Sequence, residues 1–461
     1  MNTASANVAA RLESVAGAER VSGSAEICEK YAVDGMVPSA VVKPVSADEV
    51  VEIVRFAKSE KLALIPCGNR TKLGIGMPPG RYDFALDVTG LSKIAYYDPD
   101  DLTLSVDAGI GLAELAETLA KDNQFVPLAV PFFEECTAGG TIASGIGSVL
   151  RYSYGSARDF LLGAEFVNGA GALTKSGGRV VKNVTGYDLH KLMIGSLGTL
   201  AVITRLNFRT FPSPPGYGQL VASFSSIEAV VNFQGAIAKS PLTPSSFQVL
   251  GPEAAHRAAE FKEDRDSLLP SWFAPGHWHV CVGFEGAEPV LRRYSSDLVE
   301  YVKQSGAQSH NLLDQHAGEL LGGALRELLD LLSWSGPAAT IFKIDMLPAF
   351  PADIQRLREL ADRLAIPCVV FANLPGPLYF ALEPKTLDDG SIAALAQIAA
   401  GVLEYSASHN GQASTLFCPT ELKRIVNVWS PTRKDAELMR RVKTAFDPQN
   451  IFAPGRFVAG I

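Results

Sequence analysis

The sequence predicts an α+β protein of more than one domain. Its 461 residues are enough for two or three domains of ordinary size. Strand and helix patterns alternate from early in the chain, with a strand over 39–45, a helix over 48–61 and a strand over 62–66. Three prolines and two glycines between Thr210 and Gly218 indicate a linker or domain boundary. We therefore expect a helical lead-in over 1–36, one α+β domain over 37–213, a second over 214–420, and a C-terminal helix and tail over 421–461.

Helices and strands continue through both expected domains. Ser46 is predicted to cap the helix over 48–61, because Glu49 stands three residues later at the capping-box spacing. In the first domain we predict strands over 84–88, 102–106 and 200–208, a helix over 111–121, and a hairpin of 164–168 with 172–175. In the second we predict helices over 226–239, 288–305, 317–332 and 351–364, strands over 280–284, 340–346 and 368–372, and a last helix over 431–446.

Composition excludes several function classes. Lys plus Arg is 41 and Asp plus Glu is 49, so the net charge is −8, and the basic domain of a nucleic-acid-binding protein is not expected. The longest apolar stretches, 192–204 and 391–403, are shorter than the roughly 20 residues that span a bilayer. The first 21 residues lack the pattern of a signal peptide. Six scattered cysteines without a CxxC pair predict reduced thiols and no iron–sulfur cluster. We expect a cytoplasmic protein that reaches a membrane only through a partner.

A loop with three glycines follows the first β-α-β unit. It runs from Pro66 to Gly76, and glycines at 68, 74 and 76 allow backbone N–H groups to turn inward around an anion. Arg70 and Lys72 add positive charge, a combination that suits a pyrophosphate. A solvated loop between strands is the alternative. The loop is neither GxGxxG nor GxxxxGK[ST], so nicotinamide-binding Rossmann and P-loop assignments lose their main support.

Glycine is concentrated between residues 139 and 198, which hold 13 of the 41 glycines. At its start, Thr137 to Gly147 combines glycines with hydroxyl side chains. Such a backbone can run along a flat or extended cofactor, with Thr137, Thr141 and Ser144 donating hydrogen bonds. A glycine-rich buried turn is the alternative interpretation.

Two later segments complete a pattern of four ordered motifs. Lys182 to Leu189 and Gly195 to Thr204 predict a turn, a short helix, a glycine turn and a strand, and Phe446 to Arg456 follows the last predicted helix. Together with the two glycine-rich loops, these segments resemble the vanillyl-alcohol-oxidase type, or PCMH-type, FAD-binding domain over about 37–212. The likeness is greatest to bacterial glycolate oxidase FAD-binding subunits and the related D-lactate and 2-hydroxyacid dehydrogenases.

The resemblance implies two α+β subdomains that hold FAD between them, an α+β cap domain over the flavin, and a C-terminal segment that returns to the FAD domain. Cofactor contacts would come from Cys67, Gly68, Asn69, Arg70, Thr71 and Leu73 around the pyrophosphate, from Thr137, Gly139, Gly140, Thr141 and Ser144 along the ribityl chain and flavin, and from the backbone of Ile203. Many members attach FAD covalently through a histidine in the first loop. Thr71 stands at that place here, so we expect non-covalent FAD.

The resemblance further implies oxidation of a 2-hydroxyacid, with hydride passing from the substrate C2 to flavin N5. A carboxylate substrate favours an arginine clamp, and Arg456 is the candidate catalytic cation. A surface cation that closes the C-terminal segment is the alternative for this residue. No proton base is identified.

Other polar residues near the motifs are expected to be structural. Asp188, beside Tyr187, is predicted to cap the helix over 189–194 by its side chain, and His190 is predicted to be exposed. His277 and His279 would share one face of a strand. Two histidines do not make a metal site, so no metal is expected.

Electrons must leave the flavin, and the chain has no cysteine pattern for a cluster of its own. The resemblance implies the FAD-binding subunit of a glycolate oxidase complex, with a second flavoprotein subunit and an iron–sulfur subunit as partners. One alternative is a self-sufficient FAD-linked dehydrogenase of another hydroxyacid or alcohol. A second alternative is a catalytically degenerate flavin-binding subunit that serves assembly.

Overall fold

The computed structural model describes residues 3–179, 186–260, 272–336, 338–345, 350–431 and 435–461. The helices are α1 (Thr3–Ala16), α2 (Ala25–Glu29), α3 (Ala47–Glu60), α4 (Leu112–Ala120), α5 (Ala138–Ser144), α6 (Arg151–Tyr154), α7 (Ala157–Phe160), α8 (Ile227–Lys239), α9 (Pro252–Ala259), α10 (Glu288–Gln304), α11 (Gln315–Ser333), α12 (Phe350–Arg363), α13 (Asp389–Ser408), α14 (Thr420–Lys423) and α15 (Ala436–Phe446). Of the helices in these ranges, none has the length and apolar character needed to cross a bilayer.

The strands are β1 (Val21–Ser22), β2 (Ala40–Val42), β3 (Leu64–Cys67), β4 (Phe84–Asp87), β5 (Ile94–Asp98), β6 (Thr103–Asp107), β7 (Gln124–Phe125), β8 (Leu161–Asn168), β9 (Leu173–Gly177), β10 (Ala201–Arg209), β11 (Phe211–Pro212), β12 (Tyr217–Phe224), β13 (Ser246–Leu250), β14 (Trp278–Glu285), β15 (Ser309–Leu313), β16 (Thr340–Asp345), β17 (Cys368–Leu374), β18 (Leu378–Leu382) and β19 (Gln412–Phe417).

The first sheet has the strand order β1-β2-β4-β3, and β2 and β3 run parallel to β4. Helix α3 connects β2 to β3 and buries an apolar stripe of Val50, Ile53, Val54 and Ala57. Ser46 caps this helix as predicted, because its Oγ accepts a hydrogen bond from Glu49 N at 3.1 Å. The Glu49 carboxylate accepts in return from Val45 N at 2.9 Å, one residue earlier than in a standard capping box.

The second sheet is antiparallel, in the order β5-β6-β10-β8-β9. Its strands β8 and β9 form the predicted hairpin. Helices α4 and α5 pack with this sheet in one apolar core. The proline-rich segment after β10 contains β11, which pairs with β7, and leads directly into β12.

An eight-stranded antiparallel sheet, here called the cap sheet, has the order β15-β12-β14-β13-β17-β18-β16-β19. Helices α8, α10, α12 and α13 pack in the core of one face, and α9 and α11 pack on the other. The core on the α9 and α11 side also contains Ile75 and Ile146. This face of the cap sheet therefore lies against the two glycine-rich loops.

The sequence analysis predicted β14, β16 and β17 of the cap sheet but missed its other strands. β12, β13 and β18 are almost entirely buried, so they lack the polar alternation that marks a half-exposed strand. Two predicted elements include residues that the structure does not describe. Met346, the predicted end of β16, and residues 432–434 of the predicted last helix lie outside the described ranges. Pro431, the predicted start of that helix, is not helical, and α15 begins at Ala436.

The C-terminal tail returns to the first sheet, as the resemblance implied. Leu64 N donates to Ile451 O at 2.8 Å and Ala453 N donates to Leu64 O at 2.8 Å, so the tail lies along the free edge of β3. The tail is fixed by the buried Asp447, which accepts from Phe452 N and from Lys443 Nζ. Residues of α1 and of the C-terminal tail therefore pack in the same apolar core.

Candidate active site

The first glycine-rich loop begins where β3 ends at Cys67. The backbone N–H groups of residues 68 to 72 donate to no acceptor in the part of the chain that the structure describes. Asn69 anchors the loop, because its Nδ2 donates to Glu135 O at 2.7 Å. The Arg70 guanidinium lies over the Tyr31 ring, 4.5 Å from its centre. Several free N–H donors beside a cation make a cradle for an anion.

Lys72 does not extend this positive charge toward the cleft as the sequence suggested. Its side chain is buried, and its Nζ lies over the Phe132 ring, 4.9 Å from the centre. Burial lowers the pKa of Lys72, and the nearby Cys136 and Glu327 oppose that shift. Lys72 therefore belongs to the base of the loop.

The carbonyl groups after the cradle face two buried cations. Arg456 Nη2 donates to Leu73 O and, at 2.6 Å, to Ile75 O. Lys423 Nζ donates to Gly74 O at 2.6 Å. Arg456 also lines the cleft next to the loop, although its side chain is almost fully buried. The predicted catalytic cation is thus close to the loop, with part of its guanidinium committed to backbone carbonyls.

The second glycine-rich segment forms helix α5 and packs directly on the loop. A Cβ on Gly68 would lie 2.2 Å from Thr137 Oγ1, so only glycine allows this approach. Of the predicted hydroxyl donors, Ser144 Oγ donates locally, to Thr141 O at 3.0 Å, whereas Thr137 Oγ1 accepts from Gly140 N at 3.2 Å and keeps its own proton to donate. Short helices use such bonds to satisfy their own backbone, which the glycine count could not show.

Thr141 lies behind the wall of the cleft. Its side chain is buried, and its Oγ1 donates to the Cys136 Sγ at 3.4 Å. The expected donation from this hydroxyl to a cofactor is therefore not what the structure shows.

Three adjoining cavities form one continuous cleft. The inner cavity, of about 380 Å³, is lined in part by Ala108, Gly139 and Ile203. The middle cavity, of about 510 Å³, is lined by residues 66–73. The outer cavity, of about 1170 Å³, reaches the cap sheet. Leu197 lines all three, so the cleft passes from the second sheet, along the anion cradle, to the cap sheet.

The outer cavity contains polar residues that the sequence analysis missed. Lys343 and Asp345 of β16 form an ion pair there, with 3.0 Å between Nζ and Oδ2. Ser414 of β19 and Trp429 line the same cavity. Trp429 Nε1 donates to Arg456 O at 3.2 Å, which joins this wall to the C-terminal tail. These residues come together only through strand pairing in the cap sheet, so no local motif marks them.

The structure of the motif that contains Tyr187 and Asp188 differs from the predicted one. Residues 182–185 of that motif lie outside the described ranges. Asp188 makes no side-chain cap and instead forms an ion pair with Lys191 at 2.7 Å. His190, predicted to be exposed, is 2% exposed, and Ser176 Oγ lies 3.1 Å from its Nδ1. The short helix over residues 189–192 directs the His190 side chain toward β9. The local sequence alone does not predict that direction.

The two cap histidines occupy different environments. His277 precedes β14 and bonds locally to Pro275 O. His279 is buried in β14, and its Nε2 accepts from Ala274 N at 2.9 Å. Burial lowers the pKa of His279 to about 4, so it is neutral at pH 7. Within the described ranges, no three His, Cys, Asp or Glu side chains are grouped so that they could hold a metal ion.

Comparison with known proteins agrees with this geometry. Residues 38–177 match a family model described as an FAD binding domain, and residues 423–457 match the C-terminal domain of FAD linked oxidases. The chain is 27% identical to the D-lactate dehydrogenase of Archaeoglobus fulgidus over 431 residues, which cover 91% of each protein. It is 36% identical to glycolate oxidase subunit GlcE of Escherichia coli over 182 residues, 39% of this chain and 51% of that protein. The solved structure of 4-ethylphenol oxidase from Gulosibacter chungangensis has a TM-score of 0.79 at 16% identity, covering 99% of this chain and 97% of that one.

The fold and the cleft define an FAD-dependent oxidoreductase. Residues 38–177 and 423–457 carry the FAD binding domain and the C-terminal domain of FAD linked oxidases, on the fold seen in the 4-ethylphenol oxidase structure. FAD fits the residues present: the free N–H groups of residues 68 to 72 suit its pyrophosphate, and the close packing of Gly68 on α5 keeps this cradle open beside the inner cavity.

Proposed function

We propose that this chain oxidises the CH–OH group of a small 2-hydroxyacid of the glycolate type and passes the electrons to a partner protein. The observation that best supports this proposal is the continuous cleft, which joins the anion cradle to an outer cavity lined by Lys343. The names of two relatives, a D-lactate dehydrogenase and a glycolate oxidase subunit, support a 2-hydroxyacid as the substrate class.

Some residues of the cleft would bind the cofactor, and others would position the substrate. The cradle at residues 68–72 would hold the diphosphate, and the remaining predicted contacts from Thr137, Gly139, Gly140, Ser144 and Ile203 would line the rest of the cofactor. FAD, when bound, supplies the hydride acceptor. Lys343 would hold the substrate carboxylate, which would compete with Asp345 for its ammonium group. Arg456 would act mainly by positioning the loop, since Nη2 already bonds two carbonyls.

The FAD is proposed to be non-covalent. The loop carries Thr71 where a histidine would be needed, and the residues that line the middle cavity include no histidine among those described. Acid precipitation of the holoprotein should release all of the flavin into the supernatant. Flavin that stays with the protein pellet would refute this part of the proposal.

The first test is anaerobic reduction of the purified holoprotein. We expect glycolate to bleach the oxidised flavin band, and D-lactate and a simple primary alcohol serve as comparison substrates. Bleaching by the alcohol but by neither hydroxyacid would overturn the assigned substrate class. Reduction by glycolate without turnover on a dye acceptor would support a subunit that requires its partners, the second flavoprotein and the iron–sulfur protein. Co-purification from the native host then tests that complex directly.

A self-sufficient dehydrogenase of another 2-hydroxyacid is the second candidate. It is supported by the match to a D-lactate dehydrogenase along 91% of both proteins at 27% identity. Glycolate oxidase subunit GlcE matches along 39% of this chain, and subunit GlcD matches along 92% at 23% identity. Steady-state turnover by the isolated chain with a dye acceptor distinguishes the two. A degenerate assembly subunit would bind FAD and be reduced by no hydroxyacid.

A further inference from the structure

The segment that leaves the cap sheet supports the cofactor loop at several points. This return segment, residues 418–430, follows β19 and contains α14. Lys423 Nζ donates to Gly74 O, and Val428 N contacts Met77 Sδ at 3.3 Å. On its other side, Thr415 N of β19 donates to Val428 O at 2.8 Å. The return segment therefore connects the wall of the outer cavity to the loop that forms the cradle.

Lys423 is buried at the centre of this connection. Its side chain is 1% exposed, and its Nζ lies 2.8 Å from the Asp34 Oδ1. Asp34 also accepts from Thr420 Oγ1 at 3.2 Å, so the pair is held from the return segment and from the N-terminal part of the chain. A buried ion pair is costly unless further hydrogen bonds complete it, and the bond to Gly74 O completes this one.

The carbonyls held by Lys423 and Arg456 fix the direction of the neighbouring N–H groups. The carbonyls of Leu73 and Ile75 bond Arg456, and the carbonyl of Gly74 bonds Lys423. In a trans peptide the N–H points opposite to the C=O. The N–H groups of Gly74 and Gly76 therefore point away from Arg456, and neither donates to an acceptor among the described residues. The turn is tied directly to the cradle, because Leu73 N donates to Arg70 O at 3.1 Å and Ile75 N donates to Lys72 O at 3.2 Å.

We propose that Lys423 is a positioning residue for the FAD diphosphate. By holding Gly74 O it locks the middle peptide of the 73–76 turn, and with it Arg70 and Lys72 of the cradle, whose carbonyls accept hydrogen bonds from this turn. Because Lys423 lies in the return segment, it also ties the affinity for FAD to the placement of the cap sheet. The proposal concerns cofactor binding and is independent of which hydroxyacid the enzyme uses.

The test compares two substitutions of a paired cation by methionine. Lys423→Met should raise the FAD Kd of the apoprotein about tenfold, about 1.4 kcal/mol, and should shift the ³¹P resonances of the bound diphosphate. Arg257→Met is the matched control, because Arg257 pairs with Glu383 at 2.8 Å in the cap and has no contact with the loop. The control should keep the FAD Kd and ³¹P spectrum of the parent even if it lowers thermal stability.

Two results would overturn the proposal. One is a Lys423→Met protein whose FAD Kd and ³¹P spectrum match the parent, and the other is an equal loss of FAD affinity in Arg257→Met. If Lys423→Met does not fold, Lys423→Gln replaces it, because glutamine keeps a donor for Gly74 O without the charge. The glutamine variant should then have a higher FAD Kd than the parent and shifted ³¹P resonances, and a parent-like Kd and spectrum would again refute the role.

Discussion

Replacing Gly68 by alanine tests the closest contact in the cofactor site. The new Cβ would lie 2.2 Å from Thr137 Oγ1 and 3.0 Å from Thr137 Cγ2. Ordinary van der Waals contact begins near 3.4 Å, so the loop and α5 must separate by roughly 1 Å. Overpacking of this kind costs about 1–3 kcal/mol. Since the loop carries the free N–H donors, we expect Gly68→Ala to raise the FAD Kd by about tenfold or more.

The assay is titration of apoprotein with FAD, followed by flavin fluorescence. Gly147→Ala is the matched control, because it is the same substitution in the second glycine-rich segment and its Cβ would meet no atom within 4 Å. The double variant Gly68→Ala, Thr137→Ala removes the two atoms of Thr137 nearest the new methyl group. Gly68→Ala should lose less FAD affinity in the Thr137→Ala background, measured against Thr137→Ala alone, than in the parent. Equal losses in the two backgrounds, or parent-like affinity of Gly68→Ala, would show that this contact does not shape the cradle.

Three further predictions concern the cap. Burial raises the pKa of Glu285 and its hydrogen bond from Tyr154 opposes the rise, so Tyr154→Phe should raise that pKa further. A carboxyl group whose native pKa is raised makes the protein less stable as pH rises. In urea unfolding, the free energy of unfolding of Tyr154→Phe should therefore be about 2 kcal/mol below that of the parent near pH 8, with a smaller difference near pH 4. The pKa of His279, lowered to about 4, makes stability fall as pH drops from 6.5 toward 4, by on the order of 3 kcal/mol, and His279→Gln should remove that slope in the same assay. Lys343→Met should raise the KM for hydroxyacids about 10- to 100-fold while leaving FAD content unchanged, and a parent-like KM would remove Lys343 from the substrate site.

The parts of the molecule that could be predicted from sequence are those set by local chemistry. The β-α-β unit follows from the cap at Ser46 and the apolar stripe of α3, which need only a few neighbouring residues. The anion cradle follows from glycines next to the end of a buried strand. Each signal lies within a short run of neighbouring residues, 46–57 for the helix and 64–76 for the loop. The structure shows the β-α-β unit, and free N–H groups follow β3.

The parts that could not be predicted depend on long-range pairing. Lys343 and Ser414 belong to β16 and β19, which are neighbours in the sheet although α12 and α13 separate them in the chain. Thr141 and Ser144 of α5 were assigned as donors to a cofactor because composition does not reveal that both donate within the chain, to Cys136 Sγ and to Thr141 O. His190 was misplaced for a related reason, since its burial depends on β9 and not on its own segment.

The tail along β3 has a consequence for biosynthesis. β3 is the edge strand that leads into the cradle, and its partner, residues 451–453, is made more than 380 residues later. Until those residues leave the ribosome, β3 presents unpaired backbone groups that invite pairing with other chains. A nascent chain can therefore cover this edge of its first sheet only after the whole cap has been synthesised, and shielding of that edge by a chaperone would matter most while the cap is being made.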